Sequence, residues 1–254
     1  MVDESLAGAG RGGPVAGSLT GPGRRRDPGG GGGGRDGGRG WPRSRPLLWA
    51  EFLGLYLAIP LVIAVWLPPG RMFAALFAMT ALGLVLLWRT PGFSWRRLAT
   101  EGWGGVRAAP VLALVAATLA VSVAVLWATG GALFALPRAR PGLWVAILVL
   151  YPLLSALPQE LIFRPLFFRR YGRLIPGERA AILANAAVFA VAHLMYWSWI
   201  VAAMTFAGGL VFAWAYEVRR SLPLAVVLHA AAGGALFTAG MGAYFYSGSV
   251  VRPF

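Results

Sequence analysis

The sequence contains no cysteine and no lysine, and only two histidines and nine acidic residues among its 254 positions. Without cysteine there is no disulfide framework, no thiolate zinc site and no thiol nucleophile. Charged residues make up 13% of the chain, against about a quarter in an ordinary globular domain. With 58% hydrophobic residues and a mean hydropathy of +0.66, this excludes a soluble enzyme. All 23 basic residues are arginine, which gives a net charge of +14.

Residues 1–45 hold the glycine run Gly29 to Gly34, eight arginines and hardly any large apolar side chain. Such a segment cannot bury a core, so a disordered Gly/Arg-rich arm is expected there. It has no apolar stretch near Met1, so a cleavable signal peptide is not expected. Arg24-Arg25-Arg26 in a glycine-rich setting is a weak nucleic-acid signal, and anionic lipid explains the charge more simply.

From Pro46 onward, apolar runs alternate with short arginine-bearing breaks. Each run is long enough for a helix to cross about 30 Å of hydrocarbon. Seven are read, at 47–68, 72–88, 108–129, 143–168, 179–196, 198–216 and 222–246. Pro152, Pro158 and Pro165 predict a kink or break in the fourth. The segment 89–107, with Phe93, Trp95, Leu98 and Trp103 among Arg96, Arg97 and Arg107, is a candidate eighth element, re-entrant or interfacial. The expected fold is an all-α, polytopic transmembrane bundle of seven to eight spans over residues 46–250, behind the arm.

Arginine placement predicts orientation, because cytoplasmic flanks carry the excess of positive charge. One side collects the arm, Arg89, Arg96, Arg97, Arg107, Arg164, Arg169, Arg170, Arg173, Arg179, Arg219 and Arg220. The other receives only Arg71, Arg138, Arg140 and Arg252. The reading is a cytoplasmic N-terminus and an outward C-terminus in a bacterial inner membrane, with membrane lipid as a partner.

Three ionisable residues fall where lipid makes them costly: Glu160, His193 and His229. Glu160 and Arg164 are four residues apart and share a helix face, so they can neutralise each other below the membrane surface. Gln159 points about 100° away and aligns with Ser155 and Phe163. Asn185, Phe189 and His193 form one stripe. His229 is followed by Gly233 and Gly234, which allow close helix approach. Each feature also has a plain packing explanation: an ion pair, a satisfied imidazole, a small-residue contact.

Taken in order, Gln159-Glu160-x-x-x-Arg164, Phe189-x-x-x-His193 and His229 resemble the three motifs of the CAAX prenyl protease and bacteriocin-processing family of intramembrane glutamic proteases. The resemblance spans about residues 145–246. It implies a helical bundle around a water-accessible cavity and cleavage of peptide bonds near or within the membrane. It further implies that His193 positions and activates water, that His229 stabilises the oxyanion, and that Glu160 and Arg164 are the second glutamate and the arginine of the first motif. Two positions depart. The family's first glutamate is Gln159 here, and the asparagine of its His-x-x-x-Asn motif is Gly233. A carboxamide cannot accept the proton of an attacking water, and a lost oxyanion donor costs about 2.7–4 kcal/mol. The Gln-Glu pair, Gly233 and the tail Gly242 to Gly248 together resemble one bacterial branch of the family.

Glu160 lies nine residues before Arg169, and His229 nine after Arg220. Both are therefore expected about 13 Å below the same surface at 1.5 Å per residue, whereas His193, 14 after Arg179, falls at about 21 Å. The expected site is thus Glu160, His193, His229, Gln159 and Arg164, acting on a peptide or protein substrate with no cofactor. Zinc at His193, His229 and Glu160 is the lesser alternative. An inactive scaffold or binding protein of the same fold is the competing reading, and a transporter a weaker one.

Overall fold

A computed structural model of the protein describes residues 44–252, so the reading of an N-terminal arm falls almost wholly outside the described residues. Seven helices among them are long and apolar enough to cross a membrane, and no strand occurs. They are α1 (Arg45–Trp66), α2 (Pro69–Trp88), α3 (Ala108–Thr129), α4 (Pro141–Leu174), α5 (Glu178–Tyr196), α6 (Trp199–Glu217) and α7 (Leu222–Ala239). The chain is an all-α polytopic bundle and an integral membrane protein. Large apolar side chains such as Leu112, Trp127, Val149 and Leu153 face outward, as a lipid solvent permits.

Local chemistry explains the boundaries. Pro46 and Pro141 sit in the first turns of α1 and α4, where the missing N–H is not needed. Ser198 and Ser221 cap α6 and α7, accepting hydrogen bonds from the amides of Val201 (3.4 Å) and Leu224 (3.0 Å). The seventh apolar run reads to 246, but α7 stops at Ala239 because Gly240 takes φ 117°. A side chain there would also meet the Ala132 carbonyl at 2.6 Å. Segment 89–107 is not a span. It forms a short helix, Trp95–Thr100, and a tight turn, Trp103–Gly105, and it docks on the start of α7 through Ser221 Oγ donating to the Gly102 carbonyl at 2.6 Å.

The three prolines of α4 do not break it. The helix runs on to Leu174 by widening into π-helical turns at Pro152–Ala156 and Ile162–Tyr171. Each proline denies an N–H to the carbonyl four residues back, and wider turns are a known accommodation, frequent at functional sites. α1 does the same at Gly54–Ala58, just ahead of Pro60. There Tyr56 donates to the Ile162 carbonyl of α4 at 2.7 Å.

Inside, α5 packs on α6, and α7 on α3 and α6. Gly209 permits the α5–α6 approach: a Cβ there would lie 2.9 Å from Ala186 Cα. Phe52, Tyr56, Phe167 and Tyr171 form an aromatic cluster between α1 and α4. Beside it, Arg170 forms a two-armed ion pair with Glu51, its second arm 3.1 Å long. Arg170 also donates to Thr90 Oγ1 at 3.2 Å, and Tyr171 donates to Glu51 at 2.6 Å. This clamp ties α1, α2 and α4 together. Arg170, counted from sequence among the flank charges, is instead a buried ion-pair partner, and Arg164, counted there too, forms the buried pair with Glu160 that its spacing predicts.

Candidate active site

Four helices bring the motif residues into the middle of the bundle. α4 contributes Gln159, Glu160 and Arg164, α5 contributes Asn185, Phe189 and His193, α6 contributes Phe212, and α7 contributes His229. Glu160 and Arg164 are both completely buried. Arg164 Nε donates to Glu160 Oε2 at 2.7 Å, while Nη2 lies 3.4 Å from Oε1. Arg164 Nη1 donates to Asn185 Oδ1, and Asn185 Nδ2 donates to the Phe163 carbonyl at 2.5 Å. The guanidinium also lies over the rings of Phe189 and Phe212, 5.2 and 5.8 Å from their centroids. Two buried charges are tolerable here because they neutralise each other and each of their nitrogen and oxygen atoms has a hydrogen-bond partner.

His229 closes the cluster. Its Nδ1 is 2.8 Å from Glu160 Oε1 and its Nε2 is 3.0 Å from the Tyr151 hydroxyl. A carboxylate only accepts, so Nδ1 carries the hydrogen; in the neutral imidazole, Nε2 then accepts from Tyr151 O–H. The ring stacks on Phe212 at 4.7 Å and 9°, and meets the edge of Phe189 at 5.7 Å and 90°. The equal depth of Glu160 and His229 expected from arginine spacing is thus met by a direct hydrogen bond.

His193 does not touch Glu160. It ends the regular part of α5, and its Nδ1 bonds the Phe189 carbonyl at 2.7 Å. That carbonyl can only accept, so Nδ1 carries the hydrogen and Nε2 presents a lone pair, with no hydrogen bond among the described residues. The His193 and His229 rings both pack on Phe189, His193 at 4.6 Å. Phe189 thus packs on both imidazoles, and His193 lies one turn farther along α5. One residue beyond His193, Leu194 lines an apolar cavity of ≈ 340 Å³ with Leu61, Ala64, Val65, Trp197 and Ala202.

Gln159 lies on the other stripe of α4, where its Nε2 donates to Ser155 Oγ at 2.9 Å. Its Oε1 is buried without a hydrogen-bond partner, which is costly unless a polar molecule reaches it. Among the described residues, no three His, Cys, Asp or Glu side chains are grouped to hold a metal ion.

Tyr151 was not singled out from sequence. The signal lay in the four-residue stripe Tyr151-Ser155-Gln159, followed backward from the motif, and in Gly233. A Cβ at 233 would fall 2.3, 2.6 and 2.9 Å from Cε1, Cζ and the hydroxyl oxygen of Tyr151. The tyrosine occupies the space that an asparagine side chain would need.

Residues 141–234 match the family model for Type II CAAX prenyl endopeptidase Rce1-like. No curated protein and no solved structure matches the chain. The matched segment holds Glu160, Arg164, His193 and His229, the residues that carry the likeness to the CAAX prenyl protease and bacteriocin-processing family.

Proposed function

We propose that this protein is an active intramembrane endopeptidase built on the glutamic-type motifs, with His193 rather than a glutamate as the base, cleaving a membrane-proximal peptide bond by direct attack of water. The observation that carries this reading is the Glu160–His229–Tyr151 hydrogen-bonded line, buried beside an imidazole whose Nε2 lone pair is free. In this reading His193 Nε2 takes a proton from water, and the bare Gln159 oxygen accepts the water's other hydrogen and orients it. Glu160, neutralised by Arg164, holds His229 in one tautomer and one orientation, with its Nε2 turned to the Tyr151 hydroxyl. No cofactor is required. The apolar cavity next to Leu194 supports a substrate with a hydrophobic flank.

The substrate is a membrane-associated peptide or protein, and membrane lipids are the other partner. We place the protein in a bacterial inner membrane with its N-terminus cytoplasmic. This is supported by the end of the bundle holding Arg89, Arg96, Arg97, Arg107, Arg173, Arg179, Arg219 and Arg220. Gln159 and the filled space at Gly233 favour one second reading, a catalytically inactive scaffold or binding protein with the same core.

The test is reconstitution in liposomes with membrane-tethered peptides, comparing the wild type with Glu160→Gln, His193→Ala and His229→Ala. Wild-type cleavage that all three variants lose is expected. Undiminished cleavage by all three eliminates the mechanism, and a wild type that binds peptides without cleaving any establishes the scaffold.

A further inference from the structure

We propose that the Tyr151 hydroxyl is the hydrogen-bond donor to the tetrahedral oxyanion, placed on α4 to work in the space that Gly233 leaves open on α7. This rests on the reading of the chain as a hydrolase, and it names a catalytic residue outside the three motifs.

Three observations lead to it. The phenol edge lies against Gly233 so closely that any side chain at 233 would displace it. Its oxygen lies 3.0 Å from His229 Nε2. The ring is steadied by edge contacts with His229 at 5.9 Å and Phe237 at 5.8 Å. The glycine and the tyrosine therefore form one arrangement, in which a side chain missing from α7 is replaced by one reaching across from α4.

The hydrogen inventory then identifies the donor. His229 commits its Nδ1–H to Glu160, so the neutral imidazole has no hydrogen to offer at Nε2. Tyr151 has one. In the resting site that hydrogen points at Nε2, and rotation about the phenolic C–O bond redirects it without moving the ring. The exchange favours the transition state, because a bond to a neutral nitrogen is replaced by a shorter, charge-assisted bond to an oxyanion.

The step balances as follows. The water oxygen bonds to the carbonyl carbon, the carbonyl π pair moves to oxygen, and the water proton goes to His193 Nε2. Collapse re-forms the carbonyl and breaks the C–N bond, and His193 returns the proton to the leaving amine. Tyr151 keeps its own proton throughout.

The experiment uses full-length protein in liposomes and measures kcat, KM and the affinity of a peptidyl phosphinate, which carries the tetrahedral oxyanion. Tyr151→Phe keeps the ring and removes only the hydroxyl. It is expected to lower kcat about 10²–10³-fold, with KM little changed and phosphinate affinity reduced far more than that of the uncleaved peptide. A Tyr151→Phe protein that turns over like the wild type, or that loses peptide and phosphinate affinity equally, overturns the proposal while the hydrolase reading stands. A wild type that cleaves no peptide removes the hydrolase reading and this proposal with it. A second pair checks the shared position: adding Gly233→Asn to Tyr151→Ala is expected to recover at least about tenfold in kcat. A folded double variant as slow as Tyr151→Ala counts against it.

Discussion

Replacing Arg164 by Met is the most informative perturbation of the buried cluster, because the guanidinium serves several partners at once and methionine keeps much of its volume. The change leaves Glu160 as an unpaired charge in a fully buried position, a loss worth about 3–5 kcal/mol when a buried ion pair is broken. Asn185 Oδ1 loses its donor as well, worth about 1–3 kcal/mol for a buried group left unsatisfied. The contacts over Phe189 and Phe212 add roughly 0.5–2 kcal/mol. These terms overlap, so the expected cost lies at or somewhat above the upper end of the ion-pair range. Glu160→Gln in the Arg164→Met background removes the stranded charge and should return about 1–3 kcal/mol, the usual coupling between residues in direct contact. The assay is reversible denaturant unfolding in detergent micelles, read by the fluorescence of the protein's 11 tryptophans. Additive costs for the two substitutions, or a single-variant cost below about 1 kcal/mol, as for an exposed pair, would refute the claim that this pair is dry and mutually dependent.

Three further outcomes follow from the same packing. Gly233→Ala forces a methyl group into the Tyr151 ring and should cost about 1–3 kcal/mol by overpacking, relieved by Tyr151→Ala in the same chain and read as Tm in detergent. Gln159→Glu gives the site a carboxylate able to accept the water proton, so kcat should rise by about 10²-fold, the low end of general-base contributions; an inert wild type made active by this change would instead mark a retired protease. Glu51→Gln removes the carboxylate at the partly exposed end of the Arg170 clamp and should destabilise toward the lower end of about 3–5 kcal/mol while leaving the kcat of the folded fraction intact.

Much of this architecture was legible in the sequence because lipid imposes a simple rule: apolar length and arginine breaks define the spans. The boundaries that failed did so for local reasons. Apolar composition runs past Ala239, but the positive φ of Gly240 ends the helix there, and of the kink or break that the prolines of α4 predict, the break does not occur because the chain widens its turns. The Glu160–Arg164 pair was readable from four-residue spacing, and the level of Glu160 with His229 from rise per residue. The engagement of Arg164 by Asn185 was not, since spacing within a helix says nothing of which neighbour it faces. Tyr151 was hidden for a related reason. Gly233 announces an absence on α7, and only packing shows that α4 fills it.

Hydrolysis at the buried Glu160–His229 site is tested most directly by incubating the reconstituted protein with a membrane-tethered peptide in ¹⁸O-labelled water and weighing the new C-terminus by mass spectrometry. Wild-type protein should yield a product carrying one solvent-derived ¹⁸O in its carboxylate, and His229→Ala should leave the peptide intact. No cleavage by the wild type, or labelled product at an equal rate from His229→Ala, would contradict it.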